Sequence, residues 1–511
     1  MNFIPKPLVF VAAILTLNFS LLFSQSFIPE PVTPRASPEA KALLKLLYGI
    51  SGQYTFTGQH NYPNIRDRNS RFAARYIGKT PVVFSTDWGF AGEGDTDSWL
   101  ARPDIVEEAI RQHKLGSIIT ICWHAVPPTA NEPVTFRPLP GASADSLASV
   151  QGRLQDWQFR DVLTPGTPLN KHWCMQVDSI AKYLKKLEEA HVPVLWRPYH
   201  EMNGDWFWWG GRADRYSTAA LYRQLFDRLV NDHRLTNLIW VWSVDRPNKP
   251  EMEFHHFYPG NHYLDVLALD VYGNDFNKTY YDSLLALSAG KPIVLAEVGN
   301  PPSPDILKDQ PKWGLYVIWA GMVRNTLRKQ YAAILNDPRF LSLEDSAYRE
   351  LIAPYRTACG LSPLPCPVNV PADFSGEWII NEEKSLFNNS GASSLPFKIS
   401  IAQNEHEIAI KRIVVLEYAD DRITEEKLTL DGKEVRSEFM NFPRITTAQF
   451  GEGGDTLVIH SKVSMLRGDQ SFEMVVKETW TLEGRGAVLS IHQASSSYWG
   501  ERNITMVYDR R

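Results

Sequence analysis

Short apolar runs alternate with amphipathic helical patterns over the first two thirds of the chain. The apolar runs have the length of buried strands, and the segments between them carry apolar residues at helical spacing. Eight strands are predicted, at residues 54–59, 81–86, 117–122, 192–197, 237–243, 263–270, 292–296 and 315–319. The clearest intervening helices are predicted at residues 103–115, 173–190, 215–233 and 280–288.

This repeated strand–helix alternation is typical of the α/β class and of the (β/α)8 TIM barrel, a closed parallel barrel inside a ring of helices. An open doubly wound sheet is the alternative fold. Such a sheet more often has a glycine-rich phosphate-binding turn after its first strand, and residues 57–60 of this chain, Thr-Gly-Gln-His, are not such a turn. We therefore expect the barrel, over residues 27–352.

The pattern changes after this region. Prolines at positions 354, 363, 365, 367 and 371 predict a stiff connector over residues 353–373. Short alternating strands follow, at 397–402, 407–412, 427–430, 456–461, 474–481, 488–492 and 504–508, with Asp431-Gly432 as a hairpin-turn signal. Residues 374–511 are interpreted as a smaller antiparallel all-β barrel or sandwich, and Gly376-Glu377-Trp378 resembles the Gly-x-Trp motif of lipocalin-like barrels.

Residues 1–26 have the layout of a secretory signal peptide: Lys6, an apolar run, then Ser24-Gln25-Ser26. A membrane anchor is the alternative, which Pro7 and Asn18 make less favourable. We expect a secreted or periplasmic protein whose mature form does not insert into membranes.

Composition narrows the classes of partner. A net charge of -5 provides no basic field, which disfavours nucleic acid. Sixteen Trp and twenty Tyr residues suit a groove in which rings stack on sugars. We expect a monomer without metal or other cofactor.

The chain has four cysteines, which an exported protein can pair. Cys359 and Cys366 flank a compact loop, and a bridge between them is favoured. Cys122 and Cys174 either meet at one face of the barrel or are free thiols.

Polar and aromatic residues stand where the predicted strands end. Because the carboxyl ends of barrel strands form one face, these residues are expected to converge whatever their separation in sequence. They are His60, Asp87, Trp88, Trp123, His124, His200, Glu201, Trp242, Asp245, Asp270, Tyr272, Glu297 and Trp319. Any one of them could cap a helix or fill the barrel, but as a set they predict an active site.

The segment from Trp196 to Gly210, with sequence WRPYHEMNGDWFWWG, places Glu201 at a strand end beside aromatic residues 206–209. Apolar rings can raise a carboxyl pKa by desolvation, which is how a general acid is made. Neither helical nor strand periodicity buries four consecutive rings on one side, so the sequence favours a sugar-binding surface over core packing.

This segment resembles the acid/base segment of glycoside hydrolase family 26, the β-mannanase family of retaining (β/α)8 glycosidases. Residues 291–299, KPIVLAEVG, resemble the family's nucleophile strand. The resemblance covers roughly residues 43–351 and implies that Glu201 is the acid/base and Glu297 the nucleophile. The alternative for Glu297 is a structural residue that caps a helix or forms a salt bridge with Arg197, and such a bridge would also keep a catalytic carboxylate ionised. It does not extend to the C-terminal domain.

The resemblance also implies sugar-binding residues. His200 would bind the sugar at the reacting subsite, His124 would line a subsite, and Trp206 would stack beside the scissile bond. Tyr272 resembles the tyrosine whose hydroxyl contacts the nucleophile, and Trp319 is the expected floor of a subsite. The long connection at residues 127–171 departs from the family pattern and is expected to shape the cleft.

The function implied is endo-acting hydrolysis of β-1,4 bonds in mannan, glucomannan or galactomannan, with retention at the anomeric carbon. A β-1,3-1,4-glucanase or β-xylanase on the same barrel is the alternative, since two carboxylates say nothing about the sugar's 2-hydroxyl. A non-catalytic polysaccharide-binding protein is the alternative outside the enzyme class, and the intact pair of Glu201 and Glu297 speaks against it.

Overall fold

The computed structural model describes residues 29–511, apart from residues 96, 142, 366–371, 387–394, 417–418, 452–453, 468–469, 484–485 and 499. The predicted signal peptide at residues 1–26 lies outside the described residues. Among the helices of the described part, none combines the length and the apolar character that crossing a membrane requires.

Eight parallel strands form a closed barrel, which confirms the predicted fold. Strand β1 consists of two short pieces, Thr55–Phe56 and Gly58–His60, on either side of Thr57. The others are β2 (Val83–Asp87), β3 (Ile118–Trp123), β4 (Val194–Pro198), β5 (Leu238–Asp245), β6 (Val266–Val271), β7 (Ile293–Val298) and β8 (Trp313–Ile318). Each strand pairs with the next, and β8 pairs with β1 to close the barrel. A short strand β9 (Phe340–Leu341) pairs in parallel with the first piece of β1, Thr55–Phe56.

Helices surround this barrel. They are α1 (Pro38–Ile50), α2 (Arg68–Ile77), α3 (Arg102–Leu115), α4 (Asp156–Val162), α5 (Pro168–Glu189), α6 (Thr218–Asp227), α7 (Lys278–Ser288), α8 (Pro304–Asp309), α9 (Arg328–Leu335) and α10 (Ser346–Ala358). Helix α10 extends past the point where the connector was predicted to begin, at residue 353, and contains Pro354. Burial of Ile352 and Tyr355 in the core holds the helix together despite the cost of an internal proline.

The barrel interior changes character along its axis. At the amino-terminal end, apolar side chains such as Leu195, Val241 and Ala268 belong to one buried cluster with α1 and α10. Two residues further along the same strands, and so on the same face, stand Arg197, Ser243 and Asp270. The apolar filling therefore closes one end of the barrel, and the polar groups gather at the other.

The C-terminal domain is one antiparallel sheet of ten strands curled into a nearly closed barrel, rather than a sandwich. Its strands are β10 (Gly376–Ile380), β11 (Lys398–Gln403), β12 (Glu407–Val414), β13 (Arg422–Thr429), β14 (Val435–Phe439), β15 (Phe442–Phe450), β16 (Thr456–Arg467), β17 (Gln470–Glu483), β18 (Val488–Ser497) and β19 (Gly500–Arg510). The first strand pairs with the last. An ion pair from Arg444 Nη2 to Glu426 Oε2, at 3.0 Å, links β15 to β13 across the remaining gap.

The hairpin predicted at Asp431-Gly432 is wrong. Strands β13 and β14 lie on either side of this turn, yet they form the two edges of the sheet and do not pair with each other. Gly432 does adopt the positive φ that its turn needs, at 76°. The local turn signal is therefore satisfied, but each flanking strand pairs with its other neighbour, and Asp431 bridges to Gln449 instead.

Three cysteines in the described part, Cys122, Cys174 and Cys359, carry free thiols. A bridge between Cys122 and Cys174 is therefore wrong, and the free-thiol alternative holds. The physical reason is that the Cys122 thiol points to Asp87 Oδ2 at 3.2 Å, whereas Cys174 lies half-buried on helix α5. The favoured bridge between Cys359 and Cys366 is also wrong, because the Cys359 thiol is free; Cys366 itself lies outside the described residues.

Candidate active site

Three carboxyl groups meet at the carboxyl-terminal face of the barrel. Glu201 follows β4, Asp270 is on β6 and Glu297 is on β7. One oxygen from each lies within 4.8 Å of the others. Retaining glycosidases hold their two catalytic carboxyl groups about 5–5.5 Å apart, so this spacing suits a double displacement and leaves too little room for the water of an inverting mechanism.

Both oxygens of Glu297 are held by neighbouring side chains. Arg197 Nη2 donates to Oε1, and the Tyr272 hydroxyl donates to Oε2 at 2.6 Å. His200 Nε2 lies 3.9 Å from Oε1. The carboxylate is buried in the barrel mouth, and these contacts fix its plane.

Arg197 serves two carboxylates at once. Its guanidinium is 2% exposed and also donates from Nη1 to Asp270 Oδ2 at 3.1 Å. Ser243 Oγ donates to the other Asp270 oxygen at 3.1 Å. The predicted contact between Arg197 and Glu297 is present, and the role of Asp270 in holding Arg197 is one that strand-end position alone could not reveal.

Glu201 has a different environment. It is half-buried and accepts a hydrogen bond at Oε2 from Trp206 Nε1, at 2.7 Å. Burial raises the pKa of Glu201 well above its usual range, and the charges of Glu297, Asp270 and Asp245 raise it further, outweighing the indole hydrogen bond. The environment therefore favours the protonated form of Glu201, whereas Glu297 is paired with the Arg197 cation and bonded by Tyr272.

The loop after β4 positions Glu201 through an unusual backbone. Tyr199 and Glu201 both have positive φ, at 50° and 49°. Asn203 anchors the loop to the end of β5, accepting from Asp245 N at 2.7 Å and donating to Asp245 O at 2.6 Å. Strain of this kind persists only where surrounding contacts hold it in place, and the Asn203 amide supplies such contacts.

A pair of histidines lies beside the carboxyl groups. His124 Nδ1 is 3.0 Å from Asp87 Oδ2, and its ring meets that of His200 edge to face at 4.3 Å. Burial alone would raise the pKa of Asp87, but the charge of His124 and the hydrogen bonds to Asp87 lower it to about 2. Burial, with the charges of His124 and Arg197, holds the pKa of His200 well below its usual range, so His200 is neutral.

The four consecutive aromatic residues do not all face the cleft. Trp206 is half-buried beside Glu201, whereas Phe207, Trp208 and Trp209 are buried. The expectation of a continuous sugar-binding surface is wrong for these three, because the loop is irregular and turns successive rings to different sides. Phe207 stacks on Trp209 at 4.4 Å, and Trp208 Nε1 donates to the Ala125 carbonyl at 2.7 Å.

Trp319 lies at the other side of the cleft and stacks on His60, with ring centroids 3.8 Å apart. A cavity of about 260 Å³ opens beside this pair. It is lined by His60, Tyr62, Asp87, Asp95, Asp97, Ser98, His124, Phe136 and Trp319. Sequence reasoning missed Tyr62, Asp95 and Asp97 because they lie on loops beyond the strand ends; Phe136 is on the long connection, which does shape the cleft.

The remaining strand-end residues have structural roles. Trp88 and Trp242 are 0% exposed, and Trp123 stacks on Trp196 at 6.2 Å. These indoles belong to the core between the strands and the surrounding helices and do not face a ligand.

Two groups in the described part bring three potential metal ligands together: Asp87 with Cys122 and His124, and Glu201 with Asp270 and Glu297. In the first group Asp87 Oδ2 already accepts hydrogen bonds from Cys122 Sγ and the His124 backbone. In the second, Arg197 is a cation bound to two of the three carboxylates. This chemistry suits proton transfer and nucleophilic attack at the Glu201–Glu297 pair.

Comparisons with known proteins agree with this geometry. The chain is 38% identical to GH26A from Muricauda sp., whose structure superposes with a TM-score of 0.55 over 61% of this chain and 98% of that one. It is 30% identical to the Podospora anserina GH26-CBM35 β-(1,4)-mannanase, with a TM-score of 0.53 over 64% of this chain and 70% of that one.

A curated relative, the mannan endo-1,4-β-mannosidase of Thermothelomyces thermophilus, is 32% identical over 292 residues, 56% of this chain and 56% of that protein. The chain thus spans about half the length of the curated relatives it matches. Residues 32–344 match the profile of glycosyl hydrolase family 26. The barrel, its carboxyl pair and this match over more than half of the chain lead to one conclusion: the chain belongs to glycosyl hydrolase family 26.

Proposed function

We propose that this protein is a retaining endo-acting glycoside hydrolase that cleaves internal β-1,4-mannosidic bonds of mannan, glucomannan or galactomannan. The observation that carries the proposal is the pair Glu201 and Glu297, which have oxygens within 4.8 Å of each other. Glu297 is paired with the Arg197 cation, and the surroundings of Glu201 raise its pKa. Separate protonation states at short range are what a double displacement needs.

In the first step Glu297 attacks the anomeric carbon and Glu201 donates its proton to the departing glycosidic oxygen. Arg197 and Tyr272 hold the Glu297 oxygens in place for attack. The Trp206 indole occupies Oε2 of Glu201, which leaves Oε1 to face the glycosidic oxygen. A covalent glycosyl-enzyme results, with inversion at the anomeric carbon.

In the second step Glu201, now ionised, removes a proton from a water molecule that attacks the glycosyl-enzyme. Release of Glu297 restores the starting state, and the second inversion gives net retention. The water approaches from the side that the leaving group has vacated, where Glu201 and Trp206 lie.

The sugar contacts follow from the surroundings of the pair. His200 and Tyr272 flank Glu297 and suit hydrogen bonds to the reacting sugar. His124, held by Asp87, extends this polar edge toward the cavity beside Trp319. Trp206 suits stacking on the sugar on the leaving-group side.

Mannan as the substrate is supported by the activities of the relatives. Those from Thermothelomyces thermophilus and from Piromyces sp. are mannan endo-1,4-β-mannosidases. Because this chain spans only part of their length, we propose mannan as its own substrate and do not take it over from them.

The test is release of reducing ends from a panel of soluble polysaccharides: galactomannan, glucomannan, β-1,3-1,4-glucan and xylan. We expect fast release from the two mannans, a mixture of internal fragments early in the reaction, and none with Glu297→Gln. Glu189→Gln, at the end of helix α5, is the matched control and should behave as the unmodified protein.

Faster release from mixed-linkage glucan or xylan would replace the mannanase with the corresponding glycanase. If the protein binds a polysaccharide but releases no reducing ends from any of them, it is a non-catalytic polysaccharide-binding protein. Export and a monomeric state also stay predictions, to be checked by N-terminal sequencing of the mature protein and by light scattering.

A further inference from the structure

Charged side chains lie on the inner face of the C-terminal barrel. They are separate from the catalytic carboxyl groups of the first domain. Side chains on its strands alternate between the inside and the outside, so Ile504, Met506 and Tyr508 on β19 point into the core. Arg502 is the next inward position on the same strand. Its neighbours Glu501 and Asn503 are exposed, which confirms this alternation.

The other charged side chains inside the barrel balance one another. Arg412 pairs with Glu426 and with Glu478, the latter at 2.9 Å, and Arg444 pairs with Glu426 at 3.0 Å. Two guanidinium groups thus face two carboxylates. The Trp480 indole completes the network by donating to Glu478 Oε2 at 2.9 Å.

Arg502 lies outside this balance. Its Nε and Nη2 atoms are buried and have no hydrogen-bond partner in the part of the chain that the structure describes. A buried donor without a partner is costly, and a buried cation without a counter-charge is more so. The guanidinium fork suits a planar carboxylate that accepts two parallel hydrogen bonds.

Beyond Ser495 the strand surface next to Arg502 is mostly apolar. The described residues cover Phe472, Met474 and Val476 only in part, whereas Val463, which lies opposite the paired Arg444, is buried. The register places Arg502 beside Ser495, Ser495 beside Val476, and Val463 beside Met474. Inward-facing Phe472, Met474 and Val476 on β17 are half-buried, in contrast to the fully buried Trp480 on the same strand. From Phe472 to Val476 the strand rises about 13 Å.

Among the described residues, these features indicate a barrel that is packed at one end and only partly covered at the other, which we call the open end. Trp378 and Trp480 are 0% exposed and fill the closed end. Thioether, aliphatic and phenyl groups line the open end, a surface that adapts to flexible alkyl chains. Up-and-down barrels commonly hold one small ligand in such an interior.

We propose that the open end of the C-terminal barrel binds a monocarboxylate with an apolar chain. Arg502 bonds the carboxylate through Nε and Nη2, and the apolar chain lies along the wall formed by Phe472, Met474 and Val476. This ligand site is independent of the hydrolase activity, since it lies in the C-terminal domain and the catalytic carboxyl groups lie in the first domain.

The test is isothermal titration calorimetry of the full chain with decanoate, with decanol and glucuronate as comparison ligands. We expect decanoate to bind, decanol to bind at least about ten-fold more weakly because it cannot form the charge-assisted hydrogen bonds, and glucuronate not to bind. Arg502→Met should weaken decanoate by at least about ten-fold, and Arg502→Lys by less.

Lys477→Met is the matched control, since Lys477 is an exposed, outward-facing cation on β17. It should leave decanoate binding unchanged, and circular dichroism should show all three variants folded. Equal binding of decanol and decanoate, unchanged binding in Arg502→Met, binding of glucuronate alone, or no decanoate binding would each overturn the proposal. Polysaccharide hydrolysis by Arg502→Met should equal that of the unmodified protein, so failure here is distinct from failure of the hydrolase proposal.

Discussion

Two residues of one chemical type take opposite roles because their surroundings differ. Glu297 has Arg197 and Tyr272 on its two oxygens, whereas Glu201 has one indole hydrogen bond and three carboxylates nearby. The first environment stabilises an anion and the second a neutral acid. At the scale of the residue, function is therefore set by neighbours drawn from β4, β5, β6 and β7 and from the loops that follow β4 and β6.

Replacing each carboxyl group in turn separates the two roles. Glu201→Ala should lower the hydrolysis of mannan about 100- to 10,000-fold, because the glycosidic oxygen must be protonated to leave. With a dinitrophenyl mannoside, whose leaving group needs no proton, the same variant should still form the glycosyl-enzyme, seen as a burst. Equal loss on both substrates would contradict the acid/base assignment.

Glu297→Ala should be inactive on both substrates, since no covalent intermediate forms. Azide should restore turnover of the dinitrophenyl mannoside and give the glycosyl azide of inverted configuration, identified by NMR. Substantial hydrolysis of mannan by Glu297→Ala would show that another residue is the nucleophile.

The pH dependence of kcat/KM should be bell-shaped. The rate falls on the acidic side when Glu297 takes up a proton, and on the basic side when Glu201 loses its proton. Because the pKa of Glu201 is raised, the acid stays protonated and active above the ordinary carboxyl range, and activity is lost only as pH rises through that raised value. A flat profile from acid to neutral pH would contradict the pair.

Trp206→Phe should move the basic limb of this profile to higher pH. The indole hydrogen bond stabilises ionised Glu201 and so lowers its pKa, and removing the bond raises the pKa further. Trp157→Phe is the control, because this tryptophan is 50% exposed on helix α4. A basic limb that stays in place, or moves to lower pH, would show that the indole does not tune Glu201.

At the scale of the element, the loop after β4 depends on close contacts of Gly204 and Gly210 with other parts of the same loop. A Cβ atom on Gly204 would lie 2.2 Å from the Trp206 ring, and one on Gly210 would lie 2.1 Å from the Gly204 carbonyl. Glycine at both positions lets the loop fold back so that the indole reaches Glu201. The same loop buries Phe207, Trp208 and Trp209, which makes its shape resistant to change.

Gly204→Ala should therefore impair catalysis more than stability. The added methyl group displaces the half-buried Trp206 ring and breaks its hydrogen bond to Glu201, which should lower kcat/KM on mannan about ten-fold and shift the basic limb as Trp206→Phe does. Gly321→Ala is the matched control, since nothing lies within 4 Å of its new Cβ. A rate equal to that of the control would show that the ring adjusts without cost.

At the scale of the whole molecule, the two domains carry separate cores. Trp378 and Trp480, which strand patterns predict to be buried, are 0% exposed in the core of the C-terminal barrel, while Trp499 lies outside the described residues. Neither buried indole can stack on a polymer. The C-terminal domain thus lacks, at these two positions, the exposed ring surface of a carbohydrate-binding module.

Separating the domains tests this division. Residues 27–370 should keep most of the activity on soluble galactomannan, measured as reducing ends. Residues 372–511 should fold alone as a β-domain and should stay in the supernatant with insoluble mannan or cellulose. Co-sedimentation that is lost on mutating Trp499 would make the domain a targeting module instead.

The sequence alone determined the features that depend on local pattern and on strand order. Apolar runs separated by helical periodicity predict the eight strands, and strand order then places Glu201 and Glu297 on one face, since all carboxyl ends of a parallel barrel point the same way. Burial of Trp378 and Trp480 follows from alternation along their strands. Each of these inferences needs only residues close in sequence or a rule of barrel topology.

Tertiary structure alone decided what depends on contacts between distant segments. The sharing of Arg197 between Asp270 and Glu297 joins residues 73 and 100 positions away, and the irregular loop that turns three rings inward has no periodicity to read. The Asp431-Gly432 turn shows the same limit, because pairing partners across a sheet are chosen by the energy of whole strands and not by the turn between them. Long-range strand pairing and side-chain electrostatics are properties of the folded chain, because they depend on contacts that local sequence does not specify.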